Sequence, residues 1–225
     1  GSRLAEMVLA LGSFWDVAGV RIAAAFWCSR ALALIPDEPT PLRSRLLALS
    51  AESRIQVGEF TAGYLDAQAG LEMAAEIGDD WASGRANSTI TTILGLIDLQ
   101  AWRAQWTNTE RVLLASGDTY SLTRLRTWQG VMLARRGMLR EANEAFDEAL
   151  PHIEASRQPM LIESHRMWQG FAAIPSGDPT LGEALCRSVL AGTSLRGATR
   201  IAIARSTLAM SRAVRFLDRE PAQAH

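Results

Sequence analysis

The sequence predicts an all-α chain, a right-handed superhelical solenoid of about five helical hairpins plus a terminal helix, and three observations lead there. The clearest is the stretch from Thr127 to Leu150. Gly130, Gly137, Ala142 and Ala149 are small there, and Trp128, Leu133, Leu139, Phe146 and Leu150 supply bulk between them. Helices that cross at about 8 to 10 Å need small residues at the crossing, so this stretch reads as two helices folded on each other. The second observation is recurrence. Turns fall at Gly19, Gly58, Gln100, Gly137 and Gly177, at intervals of 39, 42, 37 and 40 residues. Such a period marks stacked hairpins, each of which buries its apolar face on the next. The third is that strand-like alternation is absent.

In chain order, Leu4 to Val17 and Val20 to Ile35 form the first pair, with Leu11-Gly12, Trp15, Gly19, Ala24, Ala31 and Pro36 at the pattern positions. Pro36, Pro39 and Pro41 interrupt, and Thr40-Pro41 supplies an N-cap followed by a first-turn proline. Leu42 to Val57 and Phe60 to Ile77 form the second pair, marked by Gly58, Gly63, Ala67 and Gly70; Gly78 ends it and Asp79 or Asp80 caps the next helix. Trp81 to Leu99 and Trp102 to Ala115 form the third, with its turn at Gln100 and without small crossing residues, closed by Gly117-Asp118. Ser121 to Arg136 with Leu139 to Ser156 is the fourth, and Met160 to Ile174 with Pro179 to Ala191 the fifth, where Trp168-Gln169-Gly170 repeats Trp128-Gln129-Gly130. Leu195 to Leu217 is the terminal helix. Residues 1–2 read as a tag scar, 3–217 as one solenoid domain and 218–225 as a disordered tail.

The small positions, turn glycines and trailing prolines resemble the tetratricopeptide repeat (TPR), with helices longer than its usual ~34-residue unit. The N-terminal LALGSFWDVAGVRIAAAFWCSRALAL and the later EIGDDWA also resemble the repeat region of large LuxR-type bacterial regulators of the signal-transduction ATPase class. That resemblance implies a cytoplasmic sensor domain in transcription regulation. It also implies flanking ATPase and DNA-binding modules, absent from this sequence, as partners.

Composition narrows the function. The formal charge of -1 gives no general pull on nucleic acid or anionic membrane, and 48% hydrophobic residues suffice for a core. All 23 basic residues are arginine, which excludes a phosphate loop with its lysine. His152, His165 and His225 form no HExxH pattern, and Cys28 and Cys186 have no zinc spacing, so no metal, no cofactor and no enzyme is expected. The two cysteines read as small buried thiols. Gly192 to Gly197 lacks the spacing of a nucleophile elbow and reads as a loop. Glu141, Glu144, Asp147 and Glu148 read as a solvated, ion-paired face. No apolar run reaches the ~18 residues of a membrane span; Ile90 to Leu99 is too short and contains Asp98. Arg196, Arg200, Arg205, Arg212, Arg215 and Arg219 read as a solvated face or a docking surface, with no direct contact to nucleic acid.

Function is then expected where the first helices of the hairpins face a groove. Most tryptophans sit where the pattern wants bulk, with Trp81 and Trp128 the ones free to face a pocket. The groove-facing positions are Arg45, Glu52 and Ile55; Asn87, Ile90, Leu94 and Ile97; Arg124, Thr127, Val131 and Arg135; and Met167, Phe171 and Ile174. Ile90, Leu94 and Ile97 recur at helical spacing while Ile93 and Leu96 make the opposite face apolar too, so both faces need cover. One expectation is a small apolar or amphipathic effector in the groove, with Arg124 and Arg135 at an anionic end. The plainer use of those arginines is an ion pair to Glu52 or Asp98. The alternative is a protein-interaction scaffold with polar groove walls, an exposed apolar patch elsewhere and no small ligand.

Overall fold

The computed structural model describes residues 1–12, 14–15, 20–192 and 198–217, and among them the regular structure is all helix. The expected turn at Gly19, the loop from 193 to 197 and the tail from 218 to 225 lie outside the described residues. The helices are α1 (Ser2–Ala10), α2 (Arg21–Leu32), α3 (Pro41–Gln56), α4 (Phe60–Ile77), α5 (Asp80–Ile97), α6 (Leu99–Ser116), α7 (Thr119–Ala134), α8 (Leu139–Ala155), α9 (Pro159–Ala173), α10 (Pro179–Ala191) and α11 (Ala198–Leu217). The chain divides into two compact units, Gly1–Leu125 and Arg126–His225.

Helix starts follow from local chemistry. A helix leaves its first N–H groups without intrahelical acceptors, and a short side-chain oxygen just before it supplies one. The Thr40 hydroxyl accepts from Arg43 N at 3.3 Å, and Asp79 from Ala82 N at 3.1 Å. Asp118 accepts from Ser121 N at 3.0 Å, and Asp178 from Leu181 N at 2.8 Å. The chain reverses at glycines in the left-handed region, including the expected Gly58, Gly137 and Gly177 with φ of 89°, 74° and 83°. The third hairpin turns two residues earlier than the period suggests, at Asp98 and not Gln100. Its carboxylate accepts from both Gln100 N and Ala101 N at 2.9 Å, so a cap starts α6 where the second, fourth and fifth hairpins use a glycine.

In the first unit α1 and α2 pack on each other and on α3, α3 packs on α4 and α5, and α5 packs on α6. Ala5, Val8, Cys28, Ala31, Leu46 and Leu49 form one core cluster, and Ala51, Ala67 and Ile90 another. At the α3–α4 crossing a Cβ on Gly63 would stand 2.8 Å from Ile55 Cγ2 and 3.0 Å from the Ala51 carbonyl, so only hydrogen fits. Contrary to expectation the α5–α6 crossing has a small residue, since a Cβ on Gly84 would stand 2.9 Å from Leu113 Cδ2. Polar pairs accompany it: the buried hydroxyls of Thr91 and Thr109 meet at 2.7 Å, and Gln105 donates to Asn87 at 2.8 Å. Buried hydroxyls are tolerated because each satisfies the other.

In the second unit α9 packs on α8, α10 and α11, and α10 packs on α11. Phe146 of α8, fully buried, fills the space beside Gly130. Met167, Val189 and Ala204 form a further cluster. Cys28 and Cys186 are free and buried; burial pushes their thiols up to about 12 and about 11, so both stay protonated and unreactive.

Candidate functional site

Within the first unit, the faces of α3, α5 and the start of α7 carry charge and aromatic rings together. The repeat period places them. Arg45, Arg85 and Arg124 stand 40 (45 to 85) and 39 (85 to 124) residues apart, one on each helix. Trp81 and Tyr120 stand four residues before the second and third arginine, one helical turn away on the same face. Stacking thus sets the arginine of one hairpin beside the ring of the next.

The contacts form a continuous ladder. Arg45 Nε donates to Asp79 at 2.7 Å, the carboxylate that also caps α5. Arg85 Nε donates to Asp118 at 3.3 Å, the carboxylate that caps α7, so the same device joins two successive steps. Arg85 Nη1 reaches Glu52 at 3.0 Å, and Arg124 bonds the other oxygen of Glu52. The Arg85 guanidinium lies 4.7 Å from the Trp81 ring centre and 5.5 Å from that of Tyr120, with Arg45 also over Trp81 and Arg124 over Tyr120. Arginine suits this place because its plane stacks on rings while its edge serves two carboxylates.

The ladder sets a stability expectation. Glu52→Ala removes the acceptor shared by Arg85 and Arg124, yet Arg85 keeps Asp118, and the Arg124 side chain is one-third exposed and can turn to water. The expected cost in urea unfolding is about 1 to 2 kcal/mol, below the full penalty of a buried unpaired charge. Arg45→Ala removes a half-exposed partner but leaves the buried Asp79 carboxylate with the Ala82 N–H, so its cost is expected in the same range of about 1 to 2 kcal/mol. A loss near zero would mean that Asp79 reaches water once Arg45 is gone.

The residues expected to line the groove fall into distinct environments. In the first unit Arg45 and Arg124 are paired as described, Ile90 is buried against Ala51 and Ala67, and Leu94 is partly buried on the same cluster. Asn87 is buried and bonded to Gln105, Ile55 is half-buried, and Ile97 is 75% exposed. In the second unit Val131 and Met167 are buried, Arg135 is exposed, and Phe171 is half-buried with an edge contact to Trp168 at 6.1 Å. Thr127 is buried and shares a hydrogen bond with His165 Nδ1 at 3.1 Å. Helix-face reasoning did not find Trp81, Arg85, Tyr120 and the two capping aspartates as a group. The 39- to 40-residue recurrence of arginine was the available signal.

Large apolar side chains are also exposed on α2: Ile22, Phe26 and Trp27 are 79%, 59% and 40% exposed. Among the described residues no helix is long and apolar enough to cross a membrane, and no three His, Cys, Asp or Glu side chains cluster as metal ligands would. No protein-family model matches the chain, and no curated protein matches it.

Proposed function

We propose that this chain is a non-catalytic, cytoplasmic TPR-like interaction domain of a LuxR-type transcriptional regulator, which takes a segment of a partner protein on the face of α3, α5 and α7. The observation that carries the reading is the ladder of Arg45, Trp81, Arg85, Tyr120 and Arg124. It is a polar, aromatic wall on the helices expected to face a ligand, and the apolar Ala51 and Ile90 of α3 and α5 pack together in the core. Rings and guanidinium groups are enriched at protein interfaces, the rings because they offer large contact area with little entropy to lose and arginine because its planar fork forms several directed hydrogen bonds. The exposed Ile22 and Phe26 fit the same reading as a patch that another protein element covers.

Peptide selection against the whole chain tests it. Selected peptides are expected to lose roughly tenfold or more in affinity with Trp81→Ala, the scale of one interface anchor. Failure to select any peptide, or equal binding by the variant, overturns the reading. The small apolar effector has its own support in Leu94, partly buried, and the exposed Ile97, which leave apolar surface at one end of α5. If acyl or aromatic acids raise the melting temperature of the wild type and not of Leu94→Glu, the effector takes precedence.

A further inference from the structure

The wall contains a cavity of about 20 Å³, partly open to solvent, whose lining includes Trp15, Leu49, Glu52, Gln56, Arg85 and Tyr120. Three of these side chains hold a buried polar atom with no protein hydrogen-bond partner: Trp15 Nε1, Gln56 Nε2 and the Tyr120 hydroxyl. An indole N–H and a carboxamide nitrogen only donate, and a phenol donates readily. Of the charged side chains in the lining, Arg21, Glu52 and Arg85, Glu52 is engaged by Arg85 and Arg124, and Arg85 additionally by Asp118. Among the described lining residues donors are therefore in excess, and Glu52 is already shared by two arginines.

We propose that this cavity is a subsite for a neutral carbonyl oxygen, donated by the main chain of an extended partner peptide and held by Trp15, Gln56 and Tyr120. Size agrees with chemistry. A space of this volume admits one small polar group, since about 10 to 15 Å³ suffices for a water molecule. A peptide carbonyl brings two lone pairs to these donors and no charge to set against Arg21, Glu52 or Arg85. The inference deepens the proposed function and rests on it only for the source of the carbonyl.

The test is NMR of the indole N–H groups in the 15N-labelled full chain, with the Trp15 signal assigned by its loss in Trp15→Phe. The probes are N-acetyl-trialanine amide, acetamide and sodium acetate. The capped tripeptide is expected to move the Trp15 indole proton downfield and saturably, and acetamide and acetate, which lack the rest of its chain, to move it less. The indoles of Trp102 and Trp128, also buried without a partner, stay unmoved and serve as internal controls. Tyr120→Phe is expected to weaken tripeptide binding roughly tenfold, the loss of one hydrogen bond. Gln56→Leu gives the same reading if the tyrosine variant fails to fold. A Trp15 signal that no probe moves means that water alone occupies the cavity and overturns the proposal. So does acetate acting as strongly as the tripeptide, acetamide acting more strongly than it, or an equal shift of all three indoles. A selected peptide that binds with Trp15 unmoved sinks this subsite and leaves the interaction domain standing. A saturable tripeptide shift with no selectable peptide does the reverse.

Discussion

Gly130→Leu is expected to prevent the central hairpin of the second unit from closing, with a loss above about 3 kcal/mol in denaturant unfolding. The reason is one ring. Even a bare Cβ at Gly130 would stand 2.7 to 2.8 Å from three atoms of the Phe146 ring, where ordinary contact begins near 3.4 Å. Phe146 is fully buried and its ring also meets His165 edge-on at 5.4 Å between centroids, so it has no free space to retreat into. Gly130→Ala separates the steric term from the helical one. Alanine gains about 1 kcal/mol over glycine inside a helix, so a net loss of about 1 to 2 kcal/mol means that the clash outweighs the propensity. Phe146→Leu in the Gly130→Ala background should restore part of that loss, because two residues in contact do not add independently. A Gly130→Ala variant as stable as wild type would remove the close crossing from the account of this fold.

That crossing was legible in the sequence because its cause is local and steric: glycine or alanine recurs where two helices touch, and nothing larger fits. The capping aspartates were legible for the same reason, although Asp98 shows that a period alone misplaces a turn when a cap replaces the glycine. The candidate site was harder to read because a helix of apolar residues on two faces does not reveal which face a neighbour covers. Ile90 lies under α4, and Thr127 is occupied by His165, a residue 38 positions away that no helical interval connects to it. Arg124 turns to Glu52 across 72 residues, the plainer of the two uses its position suggests. What does reach across such distances is the repeat itself. Arg45, Arg85 and Arg124 share one place in three successive hairpins, and stacking turns equal places into neighbours.

Acid should destabilise the second unit through His165. The imidazole is fully buried, with Nδ1 in its hydrogen bond to Thr127 Oγ1 and Nε2 without any protein partner. Protonation gives the ring an N–H on both nitrogens and leaves the one on Nε2 without an acceptor, in a pocket against the Phe146 ring. Burial, and secondarily the charge of Arg166, lower its pKa from 6.5 to about 4. Above pH 6.5 the ring is neutral in both folded and unfolded chains and contributes no pH dependence. Between 6.5 and 4 the unfolded chain takes up the proton and the folded chain does not, so stability falls as pH falls, by about 3 kcal/mol in all. Glu183, held below the usual carboxylate range chiefly by the Arg212 hydrogen bond, loses its own contribution only at lower pH. Unfolding free energies measured from pH 7.5 to 5 should therefore decline towards a slope of one proton in wild type and stay nearly flat in His165→Leu. A wild-type curve as flat as that of the variant would place the imidazole in water, and with it would go the buried Thr127–His165 pair.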